Sequence, residues 1–416
     1  MKFDDLNLTE EVKKAIDEMG FEDLKYIQEK VLPHALEGKD VMGHAPTGSG
    51  KTLGFTIPIA ENVNHGKGVE ALVICPTREL TLQVTKVIKD TCKYSNIKTL
   101  PVYGGVAIGP QISALKRSDV VVGTPGRLLD HIRRGTLRLD RVKILVLDEA
   151  DRMLDMGFIN DIRHIVSMTS KRRQTMFFSA TIPESIIRFS KRFMNQPVHI
   201  KLDGNEDKPK INQSYIEVSN KQKFQLLLAL IERDDPESAI IFCNTKIESD
   251  LVANNLIKNE IDALAIHGDL SQAKRDMVMG KFRKGGVKFL VATDVASRGL
   301  DIPIVSHIYN YDIPDDPDDY LHRIGRTARA GREGKAVCIL SPSDHNNMRN
   351  LHKKYSKLEQ EEFEFDLSKY PQMNRSLKSR YSSRRPSYSN RGKGGYSKKG
   401  FKPHNQSRKT KRPPRN

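Results

Sequence analysis

Two stretches of the chain hold residue types that can do phosphate chemistry. The first is Ala45-Pro46-Thr47-Gly48-Ser49-Gly50-Lys51-Thr52, which follows a short strand-like run and precedes a helical pattern. Glycines let backbone N–H groups approach phosphate oxygens, and a helix N-terminus adds partial positive charge there. In such a loop Lys51 reaches the β- and γ-phosphates and Thr52 ligates Mg2+. Ala45 stands where the usual loop has its first glycine. The second stretch, Lys143-Ile144-Leu145-Val146-Leu147-Asp148-Glu149-Ala150-Asp151, is an apolar, β-rich run that ends abruptly in carboxylates. It reads as a strand buried on both faces of a parallel sheet. Ligands of open α/β sheets bind beyond the carboxyl ends of such strands. Of two adjacent carboxylates there, one can hold a hard cation while the other orients or deprotonates water. Each stretch alone has a plainer reading, as a glycine turn or as acids favoured at a solvated helix start. Their occurrence in one chain points to a bound nucleotide.

Further motifs decide which kind of nucleotide protein this is. Pro76-Thr77-Arg78-Glu79-Leu80, Thr124-Pro125-Gly126-Arg127 and Ser179-Ala180-Thr181 each follow a strand-like run. Far downstream lies His322-Arg323-Ile324-Gly325-Arg326-Thr327-Ala328-Arg329. With Asp148-Glu149-Ala150-Asp151, and in this order, the set resembles the DEAD-box RNA helicase family, from Phe3 to about Gly334. The resemblance implies an ATP-dependent RNA helicase, an RNA-dependent ATPase that uses ATP and Mg2+ and acts on single-stranded RNA and short duplexes. It also implies roles for individual residues. Lys51, Asp148, Glu149, Arg326 and Arg329 would be catalytic: Asp148 with Thr52 holds Mg2+, Glu149 activates the attacking water, and the two arginines are fingers from a second domain. Thr47, Gly48, Ser49, Gly50, Lys51 and Thr52 would cradle the phosphates, and Asp301 would contact the ribose. Phe3, Phe21 and Gln28 resemble the family's adenine-reading motif; a Gln amide offers the adenine edge a donor and an acceptor together. Leu24-Lys25 departs from the Pro and Ser/Thr usual there. Asp151, Ser179, Thr181 and His322 would couple hydrolysis to domain closure. The RNA contacts implied are Thr77, Arg78, Gly104, Gly105, Thr124 and Arg127 in the first domain. In the second they are Asn244, Thr245, His267, Gly268, Gln272, Arg275 and Thr293. Hydroxyls, small residues and helix N-termini suit a sequence-blind grip on a phosphate–sugar backbone, and contacts to the 2′-hydroxyl favour RNA.

Positioning these residues requires strands that end near one another. Strand-like runs at 40–43, 71–75, 119–123, 143–147, 175–179 and 198–201 alternate with helical ones, which predicts a doubly wound parallel sheet. A second series follows at 215–218, 239–243, 263–267, 288–292, 306–310 and 336–340. The expected fold class is therefore α/β: two tandem RecA-like doubly wound parallel-sheet domains plus a disordered basic C-terminal tail. The chain divides into an ATP-binding domain at 1–203, a polar linker at 204–212, a second domain at 213–365 and the tail at 366–416.

The chain of 416 residues has room for two domains. Its net charge of +17 is a property of the tail: residues 368–416 hold eight Lys, eight Arg and no acid, so the rest carries only about +1. Such a segment, with interleaved Tyr381, Tyr388, Tyr396 and Phe401, attracts phosphate in a salt-dependent way and offers rings for unpaired bases. It reads as an RNA tether. No apolar run is long enough to span a membrane, and no secretory leader is evident at the N-terminus. Cys75, Cys92, Cys243 and Cys338 show no CxxC spacing and suit reduced thiols in a cytoplasmic protein. Two alternatives stand beside this reading. A DNA-directed helicase would respond at least as well to DNA, and an RNA chaperone working through the tail would survive loss of Lys51.

Overall fold

The computed structural model describes residues 1–45, 49–202, 210–294, 302–328, 333–355 and 358–376. Strands and helices alternate in two successive series. The first comprises α1 (Glu10–Glu18), α2 (Tyr26–Leu36), β1 (Val41–His44), α3 (Lys51–Asn62), β2 (Ala71–Ile74), α4 (Arg78–Thr91) and β3 (Thr99–Val102). It continues through α5 (Ile108–Leu115), β4 (Val120–Gly123), α6 (Pro125–Arg133), β5 (Ile144–Asp148) and α7 (Ala150–Asp155). It ends with α8 (Ile159–Ser167), β6 (Gln174–Ser179), α9 (Glu184–Phe193) and β7 (Val198–Lys201). These strands form a seven-stranded parallel sheet ordered β3-β4-β2-β5-β6-β1-β7. Strand alternation sends Leu72, Ile74, Leu145 and Leu147 into one apolar layer and Ala71, Val73, Ile144 and Val146 into the other. Both faces are therefore covered, as the continuous apolar runs predict.

The second series begins β8 (Ile211–Glu217), α10 (Lys223–Asp234), β9 (Ala239–Phe242), α11 (Lys246–Lys258), β10 (Ala263–Ile266) and α12 (Gln272–Arg283). It goes on to β11 (Phe289–Ala292), β12 (His307–Asn310), α13 (Pro317–Ile324), β13 (Gly334–Leu340), α14 (His345–Lys354) and β14 (Glu359–Gln360). Its sheet also has seven strands, ordered β10-β11-β9-β12-β13-β8-β14. Strand for strand the two orders are the same. In each sheet the chain runs across to its third strand, β3 or β10, at one edge and then doubles back, and ligands of such open sheets bind beyond the carboxyl ends of the strands.

The two expected strand series are present, with corrections. β3 was not anticipated; it carries Pro101, and its edge position makes that proline tolerable because no inner ladder bond is lost. β8 starts at Ile211, so the last two residues of the predicted linker are strand. Residues 366–376, assigned to a disordered tail, are instead packed: Tyr370 and Met373 join Phe363 and Phe365 against the second apolar core. Aromatic side chains that bury surface offset the ordering entropy that a purely polar segment could not.

Candidate nucleotide and RNA site

α3 begins at Lys51, immediately after Gly50, whose φ of +94° is comfortable only for glycine. A Cβ on Gly50 would also lie 2.8 Å from Gln28 Nε2. Gln28 is 3% exposed. Its Nε2 donates to Gly50 O at 2.9 Å, and its Oε1 accepts from Lys25 N–H at 2.8 Å. A carboxamide has a second N–H and a second lone pair, so one donor and one acceptor remain for a base edge. The amide thus ties the start of α2 to the phosphate loop. Lys25, at the departure from the family pattern, caps α2 through its backbone, so the local geometry survives the change. Phe3 is not presented to solvent: it lies in an apolar cluster with Leu6, Leu24 and Leu32, whereas Phe21 is exposed. Lys51 is buried and donates from Nζ to Ala45 O at 2.7 Å. Ser49 Oγ is buried without a hydrogen-bond partner among the described residues, and Thr52 lies one residue into α3, half-buried.

β5 delivers Asp148 to the same end of the sheet, 4% exposed. Burial pushes its carboxyl up to about 7, only partly opposed by Lys51. Burial would raise Glu149 too, but Arg152, Lys51 and Arg326 outweigh it and hold that carboxylate below its ordinary range. Arg152 Nη1 donates to Glu149 Oε2 at 2.6 Å. Glu149 itself has φ +54°, a strained conformation for a side-chain-bearing residue. Two neighbouring acids are thus driven apart in pKa, the pattern expected where they share out roles.

Three of the four predicted coupling residues meet. Asp151 Oδ2 accepts from Thr181 N–H at 2.8 Å and from Thr181 Oγ1–H at 2.9 Å, while Ser179 Oγ accepts from Asp151 N–H at 3.1 Å. His322 lies on α13 with Nδ1 3.8 Å from Asp319 Oδ1. Arg326, 7% exposed, follows that helix and acts electrostatically on Glu149 from the second lobe. Ala328 beside it has φ +54°. Thr47, Gly48, Asp301 and Arg329 lie outside the described residues.

The RNA candidates emerge from the carboxyl ends of three neighbouring strands in each sheet, β3-β4-β2 and β10-β11-β9. Thr77 caps α4 by accepting from Leu80 N–H, and Thr245 caps α11 by accepting from Glu248 N–H. Arg78 lies 4.5 Å from the centroid of the Tyr103 ring. Gly104 and Gly105 form an exposed turn with open space around them, and Gly105 needs its φ of +79°. Arg127 braces that turn, donating to Val106 O at 3.0 Å and to Gln111 Oε1 at 3.3 Å. Thr124 starts α6. In the second sheet Asn244 is exposed, and its Oδ1 accepts from Arg323. His267 is buried rather than displayed, with Nε2 3.0 Å from Asp250 Oδ1, and Thr293 is buried as well. Gly268 is exposed beside Lys246. Gln272 and Arg275 reach the other lobe: Arg275 Nη1 lies 3.1 Å, and Gln272 Nε2 3.4 Å, from Glu79 Oε1.

Sequence reasoning missed the residues that hold these in place. Arg323, 1% exposed, donates to both oxygens of Asp294 at 2.6 Å and to Asn244, Asn310 and the carbonyl of Asp312. Glu79 and Arg152 were likewise unassigned. The motif that contains Arg323 was visible; its inward direction was not.

Models of known families match both lobes: the DEAD/DEAH box helicase model over residues 25–189 and the helicase conserved C-terminal domain over 222–331. The chain is 50% identical over 352 residues to the DEAD-box ATP-dependent RNA helicase CshA of Geobacillus kaustophilus, covering 84% of this chain and 75% of that one. Among solved structures it resembles Saccharomyces cerevisiae Dbp5 bound to RNA and ADP BeF3, with TM-score 0.79 and 32% identity over 86% of this chain and 95% of that one. A DEAD box protein from Methanococcus jannaschii is 42% identical, covering 87% of this chain and 99% of that one, with TM-score 0.55.

Proposed function

This chain belongs to the DEAD-box family of ATP-dependent RNA helicases, and from that premise we propose which of its residues share out the reaction between the two lobes. The protein is an ATP-dependent RNA helicase with RNA-stimulated ATPase activity. In our reading ATP docks with its adenine edge on the free donor and acceptor of Gln28 and its phosphates in the loop that ends at Lys51. Lys51 Nζ exchanges Ala45 O for phosphate oxygens, and the unpartnered Ser49 Oγ gains a partner. The donor set suits Mg2+: a hydroxyl on Thr52 and a buried, cation-seeking carboxyl on Asp148 are hard oxygen ligands. When bound, Mg2+ neutralises charge on the β- and γ-phosphoryl oxygens.

Glu149, kept ionised by Arg152 and its other cationic neighbours, orients and accepts a proton from the attacking water. Arg326, with Arg329, stabilises the charge that spreads over the transferred phosphoryl group. Because these arginines come from the second lobe, hydrolysis requires the lobes to meet. RNA bound along both strand-end edges favours that meeting, and the Glu79 contacts with Arg275 and Gln272 secure it. The Asp151/Ser179/Thr181 cluster sits two residues from Glu149 and transmits the state of the site to β6. RNA bent by closure expels its paired strand locally, and phosphate release reopens the cleft. The basic tail tethers RNA, and the protein works in the cytoplasm; four free, buried cysteines suit a reducing compartment.

The observation that supports this reading is the contact between the lobes, with Arg275 Nη1 at 3.1 Å and Gln272 Nε2 at 3.4 Å from Glu79 Oε1. Steady-state ATP hydrolysis with single-stranded RNA, with a matched DNA and with no nucleic acid tests it. Stimulation by RNA alone, abolished in Glu149→Gln and Arg326→Ala, is the expected result. Stimulation in Arg326→Ala equal to that of the unaltered chain would sink the assignment.

A further inference from the structure

We propose that the Gln111 carboxamide, backed by His131, is the positioning residue of the first lobe's RNA edge. It sets the Gly104-Gly105 turn and Arg127 together for a phosphate of single-stranded RNA. The inference rests on the RNA reading of that edge given above and adds the group that holds it in shape. α5 buries two residues, Gln111 and Leu115, which are four apart and so share one face. One of the two is polar. The short helix is therefore seated by a leucine and brings a buried amide beside the turn.

Both ends of that amide are engaged. Nε2 donates to Tyr103 O at 3.1 Å, and Oε1 accepts from Arg127 Nη1 at 3.3 Å. Arg127 Nη2 in turn donates to Val106 O at 3.0 Å. Tyr103 and Val106 flank the two glycines, so one carboxamide and one guanidinium hold the carbonyls on either side of the turn. The Tyr103 ring also carries the Arg78 guanidinium, which brings a third RNA candidate into the same network. Behind Gln111 lies His131, fully buried, with Nε2 3.1 Å from Gln111 Oε1 and Nδ1 2.9 Å from Thr136 Oγ1. A carboxamide oxygen only accepts, so the ring nitrogen facing it carries the proton. Turning the amide over would set its NH2 against the Arg127 and His131 donors and leave Tyr103 O facing an oxygen. The orientation of Gln111 is thus fixed from three sides. Nothing lies within 4 Å of a Cβ built on either glycine, so the turn is open to a phosphate on its outer side. The network contains no residue of the phosphate loop or of the Asp148-Glu149 pair. Its loss should therefore be felt in RNA binding and not in the chemical step.

The test titrates oligouridine into the full chain during steady-state ATP hydrolysis. It reads the RNA concentration at half-maximal stimulation and kcat at saturating RNA. Gln111→Leu keeps the bulk but deprives Tyr103 O, Arg127 and His131 of their shared partner. It should raise the half-maximal RNA concentration about tenfold, with kcat within about twofold of the unaltered chain. His131→Leu should raise that concentration about threefold. His131→Gln, which restores an N–H near the place of the ring Nε2, should bring it back. Arg127→Ala reports on the edge itself. If Arg127→Ala weakens the response to RNA and Gln111→Leu does not, the positioning proposal fails while the RNA reading stands. If Arg127→Ala leaves the RNA requirement unchanged, the RNA reading of this edge fails and takes the proposal with it. A merely structural Gln111 would show as lost active protein, with lower kcat at an unchanged half-maximal RNA concentration, and that too overturns the proposal. Should Gln111→Leu not fold, the histidine pair decides: equal RNA requirements in His131→Leu and His131→Gln would overturn it.

Discussion

The two lobes are built on one strand order and differ at one crossing. In the first, β1 leads through a glycine loop to α3, whose first residue is Lys51. In the second, β8 leads to α10, whose first residue is Lys223, but the intervening Val218-Ser219-Asn220-Lys221-Gln222 has no glycine. Lys51 donates to the Ala45 carbonyl and forms no ion pair among the described residues, although Asp148 and Glu149 lie within its field. Lys223 is 6% exposed and already paired, with Nζ 2.6 Å from Asp312 Oδ1 and 3.2 Å from Asp344 Oδ2. Asp312 stands just past β12, the counterpart of the strand that ends in Asp148. The second lobe thus keeps the lysine and the acid but closes them on each other, leaving nothing for a phosphate. By contrast, the Thr77 and Thr245 caps are alike in both lobes. A shared scaffold supplies the RNA edge twice and the nucleotide site once, because that site lives in a loop rather than in the sheet.

The largest effects should separate the two lysines. Lys51→Ala should cut RNA-stimulated hydrolysis by on the order of 100-fold or more and leave the melting temperature nearly unchanged. Lys223→Ala strands the buried Asp344 and the half-buried Asp312 and should destabilise the second lobe by about 3 kcal/mol, read by denaturant unfolding, with ATP affinity of the folded fraction intact. Loss of ATP binding without loss of stability in Lys223→Ala would break the comparison. Next come the matched caps: Thr77→Ala and Thr245→Ala should each cost about 1 kcal/mol, and sharply unequal costs would show that the edges are not equivalent. Glu79→Gln should raise the RNA concentration for half-maximal ATPase stimulation severalfold, about 1 kcal/mol, without touching unstimulated hydrolysis.

The smallest effect concerns how each RNA edge is propped. In the second lobe the props are ion pairs. In the first, Arg127 leans on Gln111, whose Oε1 lies 3.1 Å from Nε2 of the buried His131. Burial, helped by Arg127 and Arg134 and opposed by Asp130, lowers the His131 pKa below its ordinary 6.5. The unfolded chain takes up a proton near that pH and the native ring resists it. The stability from this group is therefore full above about pH 6.5 and is lost as pH falls below it. A series of unfolding curves at mildly acidic pH should show a shallower decline in His131→Gln than in the unaltered chain.

Much of this was legible in the sequence, for local reasons. Buried parallel strands announce themselves as unbroken apolar runs, and a motif such as Asp148-Glu149 falls at the end of one. Asp151, Ser179 and Thr181 were named together as coupling residues, though their hydrogen bonds to one another were not foreseen. What stayed hidden was long-range: Glu79 meeting Arg275, Lys223 meeting Asp312, and the inward turn of Arg323. Charged residues look solvated in a sequence, and only the fold reveals which are enclosed. Edge strands such as β3 and β14 were missed because one contains a proline and the other is two residues long. Phe3 and His267, read as ligand contacts, are packed inside, which the sequence did not reveal.

Arg323 bears on how this protein can drift. It sits under Phe242, 5.0 Å from the ring centroid, and its three nitrogens donate to Asp294, Asn310, Asn244 and the Asp312 carbonyl at once. No other side chain offers a planar fork of donors, lysine included. A saturation library selected for growth on this helicase should therefore return a blank column at that position, while the arginines of the tail vary freely. Divergence toward a new RNA target then has to proceed around this fixed point, by changing what the edges present and leaving the strut beneath them alone.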